Sequence, residues 1–476
     1  MKQNTLSTRE AVALSVAVMA PTAAMALNGV FAAGRAGSAA PFSFLAAMLA
    51  IGCVAFTFVA LTRQFAHSGS VYGFNGATLG PRAGFFSGWA LLGTYFCFAA
   101  GSIAESGTFI QVLLAHARIS LGWLPLALLA GLAVWLLAYC AIGLSMRVAL
   151  VMEGISICLI LVLTGVILVK VGQAHGLSLA PLTPNGHSPS DIAGGAIYGF
   201  LAFAGFEGAA TLGEETRSPR RSIPLAIGAA VLCTGLLYVL VVYGQTLGFG
   251  TSAAGVQAYA SSAAPLDALG QRYVGNGMAA ALDLASTISA LAGALGAVTA
   301  AARVLQAMGR DGFISTRLGS ASSRTGAPVE ALATIMAASF VVTLIWGSRQ
   351  GVNGAILLGY LGTIGTFTLI AAYALTNIGA MRHFHARGLW TWQYALPCLA
   401  IGAIGYTLYS NIYPVPPTPY SAFPYVAAAW MLVGLAITGL SSALVARIGR
   451  NLGAAEGLRP PETQMAQMTQ IAGPGR

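Results

Sequence analysis

The chain has 476 residues, of which 57% are hydrophobic and 8% are charged. Soluble domains carry about 25% charged residues, so a water-facing globular protein is excluded and the natural solvent is a bilayer. The net charge of +10 comes from 23 Lys and Arg against 13 Asp and Glu. It lacks the aromatic-interleaved basic run of a nucleic-acid surface, so no nucleic-acid partner is expected.

A membrane-crossing helix takes about 20 mostly apolar residues. Twelve runs meet this, near 11–33, 42–62, 84–114, 124–146, 148–171, 192–213, 224–248, 276–302, 328–347, 354–380, 393–414 and 422–446. The first is too long for a signal-peptide core and reads as a retained span. The runs 84–114 and 276–302 exceed the bilayer core and imply tilt or extension beyond the lipid. An even count places both termini on one side. With that side cytoplasmic, only Arg35, Arg118, Lys170, Arg272 and Arg349 lie outside, and the other 18 of the 23 lie inside. This is the asymmetry that the positive-inside rule requires. The outer loop 249–275 contains Pro265 and a short surface helix over Leu266–Gln271. The tail over 451–476 has a disorder-prone composition. The chain reads as a single membrane domain over 1–476.

Two spans carry interruptions. In the first, Ala20-Pro21-Thr22 breaks an apolar run. Proline removes an amide hydrogen and clashes with the preceding turn, and the freed backbone groups need a partner inside the protein. Either Pro21 is a simple kink, or the half-helix beyond it presents its N-terminal amides to a substrate carboxylate. The sixth span crowds Gly194, Gly195, Gly199, Gly205, Gly208 and Gly213 around Glu207. Glycines permit either close packing or an unwound segment. An acid inside a bilayer is costly and marks a functional position by default. Glu207 is either a proton-exchanging group or a brace bonded to the broken backbone. Phe203, one turn earlier, is either a lid over substrate or a core residue. Interrupted helices at matched positions of two repeats are the sequence mark of a transporter site.

Glu105 lies mid-span in the third run and is the second candidate for proton handling. Glu153 stands near the inner end of the fifth, beside Arg147, where it snorkels or pairs, and Asp283 lies in the outer half of the eighth; each of these three acids is a gate, a coupling group or a structural hydrogen-bond partner. Ser286 and Ser289 share a helical face; they form a possible cation site, since hard cations take oxygen ligands, or bond to their own backbone. The six histidines fall in loops or at span ends, so no intramembrane relay or metal cluster is expected. The six cysteines sit in apolar runs without metal-ligand spacing and read as packing residues. No catalytic constellation is visible, and neither an enzyme activity nor a cofactor is expected.

Three segments carry a resemblance. The first is Ser68-Gly69-Ser70-Val71-Tyr72, continuing through Leu79-Gly80-Pro81-Arg82 to Gly88-Trp89-Ala90. The second runs Ala202-Phe203-Ala204-Gly205-Phe206-Glu207, then Gly213-Glu214-Glu215-Thr216-Arg217-Ser218-Pro219-Arg220-Arg221-Ser222-Ile223-Pro224. The third joins Ala302-Arg303-Val304 to Gly309-Arg310-Asp311-Gly312 and Gly326-Ala327-Pro328. In this order and at these span junctions the chain resembles amino acid permeases of the amino acid–polyamine–organocation superfamily. The resemblance implies an all-α LeuT-type fold of 12 transmembrane helices, with inverted five-helix repeats over about 11–171 and 192–380 and two extra helices over about 393–446. It implies a substrate carboxylate held by the backbone around Ala20, Pro21, Thr22, Ala23 and Ala24, and an amine held around Ala202, Phe203, Ala204 and Gly205. Glu207 matches the position of a carboxylate in proton-coupled relatives. Glu214–Arg221 is either a cytoplasmic gate or topology-setting charge. Many relatives have a glycine-rich break where this chain has Ala-Pro-Thr-Ala-Ala.

The function expected is proton-coupled import of an amino acid by alternating access across a bacterial inner membrane, with both termini cytoplasmic. The partners are the substrate, protons and membrane lipid. The intramembrane acids are few, which favours a neutral or small substrate. An amine or polyamine transporter and a substrate exchanger remain open alternatives. A sensor that binds without transporting would need a signalling domain, and the sequence shows none.

Overall fold

The computed structural model describes residues 12, 15–16, 19–63, 71–139, 143–207, 219–313, 315–322, 327–386, 388 and 392–455. Among these residues there are helices, turns and loops and no strand. In chain order the α-helices are α1 (Pro21–Ala36), α2 (Ala40–Thr62), α3 (Val71–Leu79), α4 (Pro81–His116), α5 (Trp123–Tyr139), α6 (Gly143–His175), α7 (Pro189–Phe203) and α8 (Pro219–Phe249). There follow α9 (Ala253–Ala260), α10 (Pro265–Tyr273), α11 (Asn276–Arg310), α12 (Val329–Gly347), α13 (Gly354–Ala386), α14 (Ala395–Ser410), α15 (Phe423–Leu440) and α16 (Ser442–Ala455).

Local chemistry sets many of these starts. Pro21, Pro81, Pro189 and Pro265 open α1, α4, α7 and α10, where the missing amide hydrogen would have no helical partner anyway. Ser188 and Asp191 cap α7 reciprocally: Ser188 Oγ accepts the Asp191 amide at 3.2 Å, and Asp191 accepts the Ser188 amide at 3.1 Å. Each bond satisfies a donor left over at the helix start.

Eight segments of the described residues are long and apolar enough to cross a membrane, the first of them the joined pair α1–α2. Two further apolar helices, α5 and α14, are shorter. Of the expected span 192–213, α7 covers the part up to Phe203, and 208–213 lie outside the described residues. At 15 residues α7 is about 22 Å long, below the roughly 30 Å of a bilayer core. The chain turns out of the helix at Ala204 and Gly205, the latter at φ 104°. The expected span 11–33 is seen as α1 from Pro21, with most of 11–18 outside the described residues. The outer-loop helix is present as α10, and α9 accompanies it unannounced by any long apolar run.

The 36-residue α4 is the central post, packed along α11 and α13 and against α5. α2 lies along α8, and α1 lies against α7 and α11. The resembling segments meet at one end of this post. Tyr72 donates to Asp311, so the first and third segments are joined directly. A Cβ on Gly88 would fall 2.5 Å from the Tyr72 ring, so that position accepts no side chain without displacing Tyr72. Asn75 donates to Ser87 and Thr376 at 2.7 and 3.2 Å, tying α3 to α4 and α13. Trp89 and Trp430 stack at 4.3 Å and exchange indole-to-carbonyl hydrogen bonds of 2.8 and 2.9 Å. That reciprocal clasp fixes α15 to α4.

The histidines do not all stand apart, as the sequence had led one to expect. His116 at the end of α4 meets Asp267 of α10 and Asp283 of α11. Folding brings together three residues that are far apart in the chain, which spacing could not reveal.

Candidate functional site

The first turn of α1 begins abruptly. Ala20 is in the left-handed region at φ 43° and ψ 61°, and as the N-cap it offers no side-chain acceptor of its own. The first amides of a helix have no partner within it, and here each finds one elsewhere. Pro21 has no amide hydrogen. The Thr22 amide donates to Glu153 Oε1 of α6 at 2.8 Å. The Ala23 amide donates to Ser289 Oγ of α11 at 3.0 Å, and the Ala24 amide closes onto the Ala20 carbonyl at 3.0 Å. The positive end of the α1 dipole therefore faces a carboxylate supplied by the chain itself, a favourable charge-assisted contact. Glu153 is only 5% exposed. A structural hydrogen-bond partner was among the readings open to it from sequence, and the Thr22 contact is of that kind. Glu153 does not snorkel but reaches inward to α1, and the available signal was its being an acid within a span.

The end of α7 is organised around Glu207. Its Oε1 accepts the Tyr95 hydroxyl of α4 at 2.9 Å. Its Oε2 accepts the Tyr373 hydroxyl of α13 at 2.7 Å and the Gly205 amide at 3.1 Å. Positive φ at Gly205 is what lets that amide turn back toward the carboxylate two residues on, a conformation open to glycine at little cost. The neighbouring carbonyl of Ala202 accepts Tyr238 Oη–H at 3.0 Å, and Ala204 donates its amide back to Leu201 at 3.1 Å. Phe203 is fully buried and edge-on to Tyr238, with centroids 5.2 Å apart. Phe206 packs against Phe58 and Tyr373.

Glu105 lies on α4, ten residues beyond Tyr95, about 15 Å along the axis at 1.5 Å per residue. It is 2% exposed, and its Oε1 has no hydrogen-bond partner among the described residues. Ser286 and Ser289 are both buried. The Ser289 oxygen faces the amide end of α1 as an acceptor. Further along α1, Gln245 of α8 donates to the Met25 carbonyl at 2.9 Å and accepts from Tyr259 of α9, so α9 is fastened onto α1 through α8. Ser68, Gly69, Ser70, Gly326 and the Glu214–Ser218 part of the suggested gate lie outside the described residues.

Eight helical segments long and apolar enough to cross a membrane, with acids buried at two helix ends, point to an integral membrane protein. The amino acid permease family model matches residues 11–441, and the chain belongs to that family. It is 28% identical over 347 residues to the branched-chain amino acid permease BcaP of Lactococcus lactis, covering 67% of this chain and 71% of the relative. It is 26% identical over 384 residues to BcaP of Bacillus subtilis, covering 75% and 77%. It is also 24% identical over 389 residues to the low-affinity putrescine importer PlaP of Escherichia coli, covering 80% and 79%.

Proposed function

We propose that this permease imports amino acids by proton-coupled alternating access, with the substrate between the interruptions at Ala20–Ala24 and Ala202–Gly205. In this reading the full protein has 12 membrane helices in two inverted five-helix repeats plus two, and its termini face the cytoplasm of a bacterial inner membrane. The observation that supports this reading is the pair of irregular helix ends. A left-handed Ala20 opens α1, and a Gly205 at φ 104° follows α7, with the buried Glu207 beside it. The substrate carboxylate takes over the Thr22 and Ala23 amides from Glu153 and Ser289. The substrate amine meets backbone carbonyls near the end of α7. Glu207 and Glu105 carry the coupling proton.

A second reading, import of an amine without a carboxylate, is favoured by one observation. The seat for a substrate carboxylate already holds the carboxylate of Glu153, which would then remain in place as counter-charge to the amine.

Uptake of labelled amino acids and diamines into proteoliposomes, with and without an imposed proton gradient, tests both. Gradient-driven accumulation of amino acids supports the first reading. Accumulation of amines alone selects the second. Counterflow without accumulation makes the protein an exchanger, and binding without any flux of either class overturns transport. Glu153→Gln sharpens the choice. It lowers the apparent KM for an amino acid that must displace the carboxylate, and it raises the KM for an amine that pairs with it.

A further inference from the structure

We propose that His116, Asp267 and Asp283 form a binding site for a divalent transition-metal cation of the zinc class. The three ligand atoms are His116 Nε2, Asp267 Oδ1 and Asp283 Oδ2, which all lie within 4.8 Å of one another. They come from three elements: the end of α4, the first turn of α10 and the body of α11.

The geometry of the nitrogen carries the inference. Nε2 lies 3.1 Å from the Asp267 oxygen and 3.0 Å from the Asp283 oxygen. One imidazole nitrogen bears at most one hydrogen, so a single N–H is divided between two carboxylates. A cation at the centre receives a lone pair from each of the three atoms instead. Zinc binds nitrogen at about 2.0–2.1 Å and carboxylate oxygen at about 2.0–2.2 Å, and at near-tetrahedral angles its ligand atoms stand about 3.4 Å apart. Both nitrogen-to-oxygen distances need only a few tenths of an ångström to reach that value.

Charge points the same way. Two carboxylates face at most one imidazolium, and among the described residues no Lys or Arg pairs with either acid. Asp283 is the costly member, since its side chain is only 2% exposed and an uncompensated buried charge is strongly unfavourable. A divalent cation bound by neutral imidazole and two carboxylates makes the site neutral. The mixed nitrogen and oxygen donor set favours zinc and its neighbours over magnesium or calcium, which prefer oxygen alone.

The surroundings suit an exchangeable ion. The His116 and Asp267 side chains are 23% and 16% exposed, leaving one wall open to solvent and a fourth position for water. Gln271 donates to both oxygens of Asp267 at 3.1 Å, the kind of outer support that orients a ligating carboxylate. Occupancy ties α10 to α4 and α11, so the ion acts as a clip on the loop that joins α8 to α11.

The test is zinc titration of the purified, detergent-solubilised, tag-free full chain by calorimetry. One saturable site is expected in the wild type. His116→Ala and Asp267→Asn should each weaken it by roughly tenfold or more, because each removes one of three ligands. Asp267→Asn alters the more accessible acid and spares the buried one, so it remains informative if a change at Asp283 impairs folding. The other five histidines are present in every variant and serve as the internal control. Equal affinity in the wild type and both variants, or no saturable binding in the wild type, overturns the proposal. The measurement needs no transport assay, so its failure is distinct from failure of the transport reading.

Discussion

Glu207 and Glu105 are both acids in the apolar body of the bundle, and the fold treats them in opposite ways. Glu207 receives three donors from three places: α4, α13 and its own broken backbone. Glu105 keeps one oxygen buried without a partner. A fully bonded carboxylate braces structure. One with an idle oxygen contributes nothing to cohesion through that atom and is free to answer to a proton or a ligand. Burial alone therefore does not tell how much such an acid adds to cohesion; the count of donors aimed at it does.

The largest expected effect tests the brace. Glu207→Ala leaves two tyrosine hydroxyls and an amide unpaired in a dry core, at about 1–3 kcal/mol each. Folded, monodisperse protein should be largely lost, as read by size-exclusion chromatography and melting in detergent. A melting temperature near wild type would remove the structural half of the contrast. Next comes Glu207→Gln, which keeps the shape but cannot titrate. It should yield folded protein whose uptake no longer responds to a proton gradient. If uptake in that variant still follows the gradient, coupling rests on another group, with Glu105 first in line. The smallest stability effect belongs to Glu105→Gln. It gives up no bond at the orphan oxygen, so its melting temperature should stay within about a degree of wild type or rise, given that 1 kcal/mol moves a 150–250-residue domain by only about 2–4 °C. A drop as deep as that of Glu207→Ala would show the two acids to be alike after all.

Much of the architecture was legible in the sequence because it is written locally. Apolar runs located most of the helices, and Pro21 and Pro265, both singled out in the sequence, stand at the starts of α1 and α10. The resembling segments around Tyr72 and Asp311 were found separately, and the fold then joined them by a hydrogen bond. The interruptions at Pro21 and Gly205 could be named from residue type alone. What they contact could not. Glu153 is 131 positions from Thr22, and His116 is 167 positions from Asp283. No periodicity relates such residues, only the packing of α6 on α1 and of α4 on α11.

The carboxylate lodged at the start of α1 has a bearing on economy of motion. A carrier that moves solute in one direction must reset without cargo, and a vacant pocket with bare amides would make that return step slow. On the proposed cycle, ligating its own helix end gives the unloaded form a resting state without bare amides at Thr22 and Ala23. That levels the path for the unloaded return and permits net uptake, where a protein lacking such a stand-in would be held to swapping one solute for another.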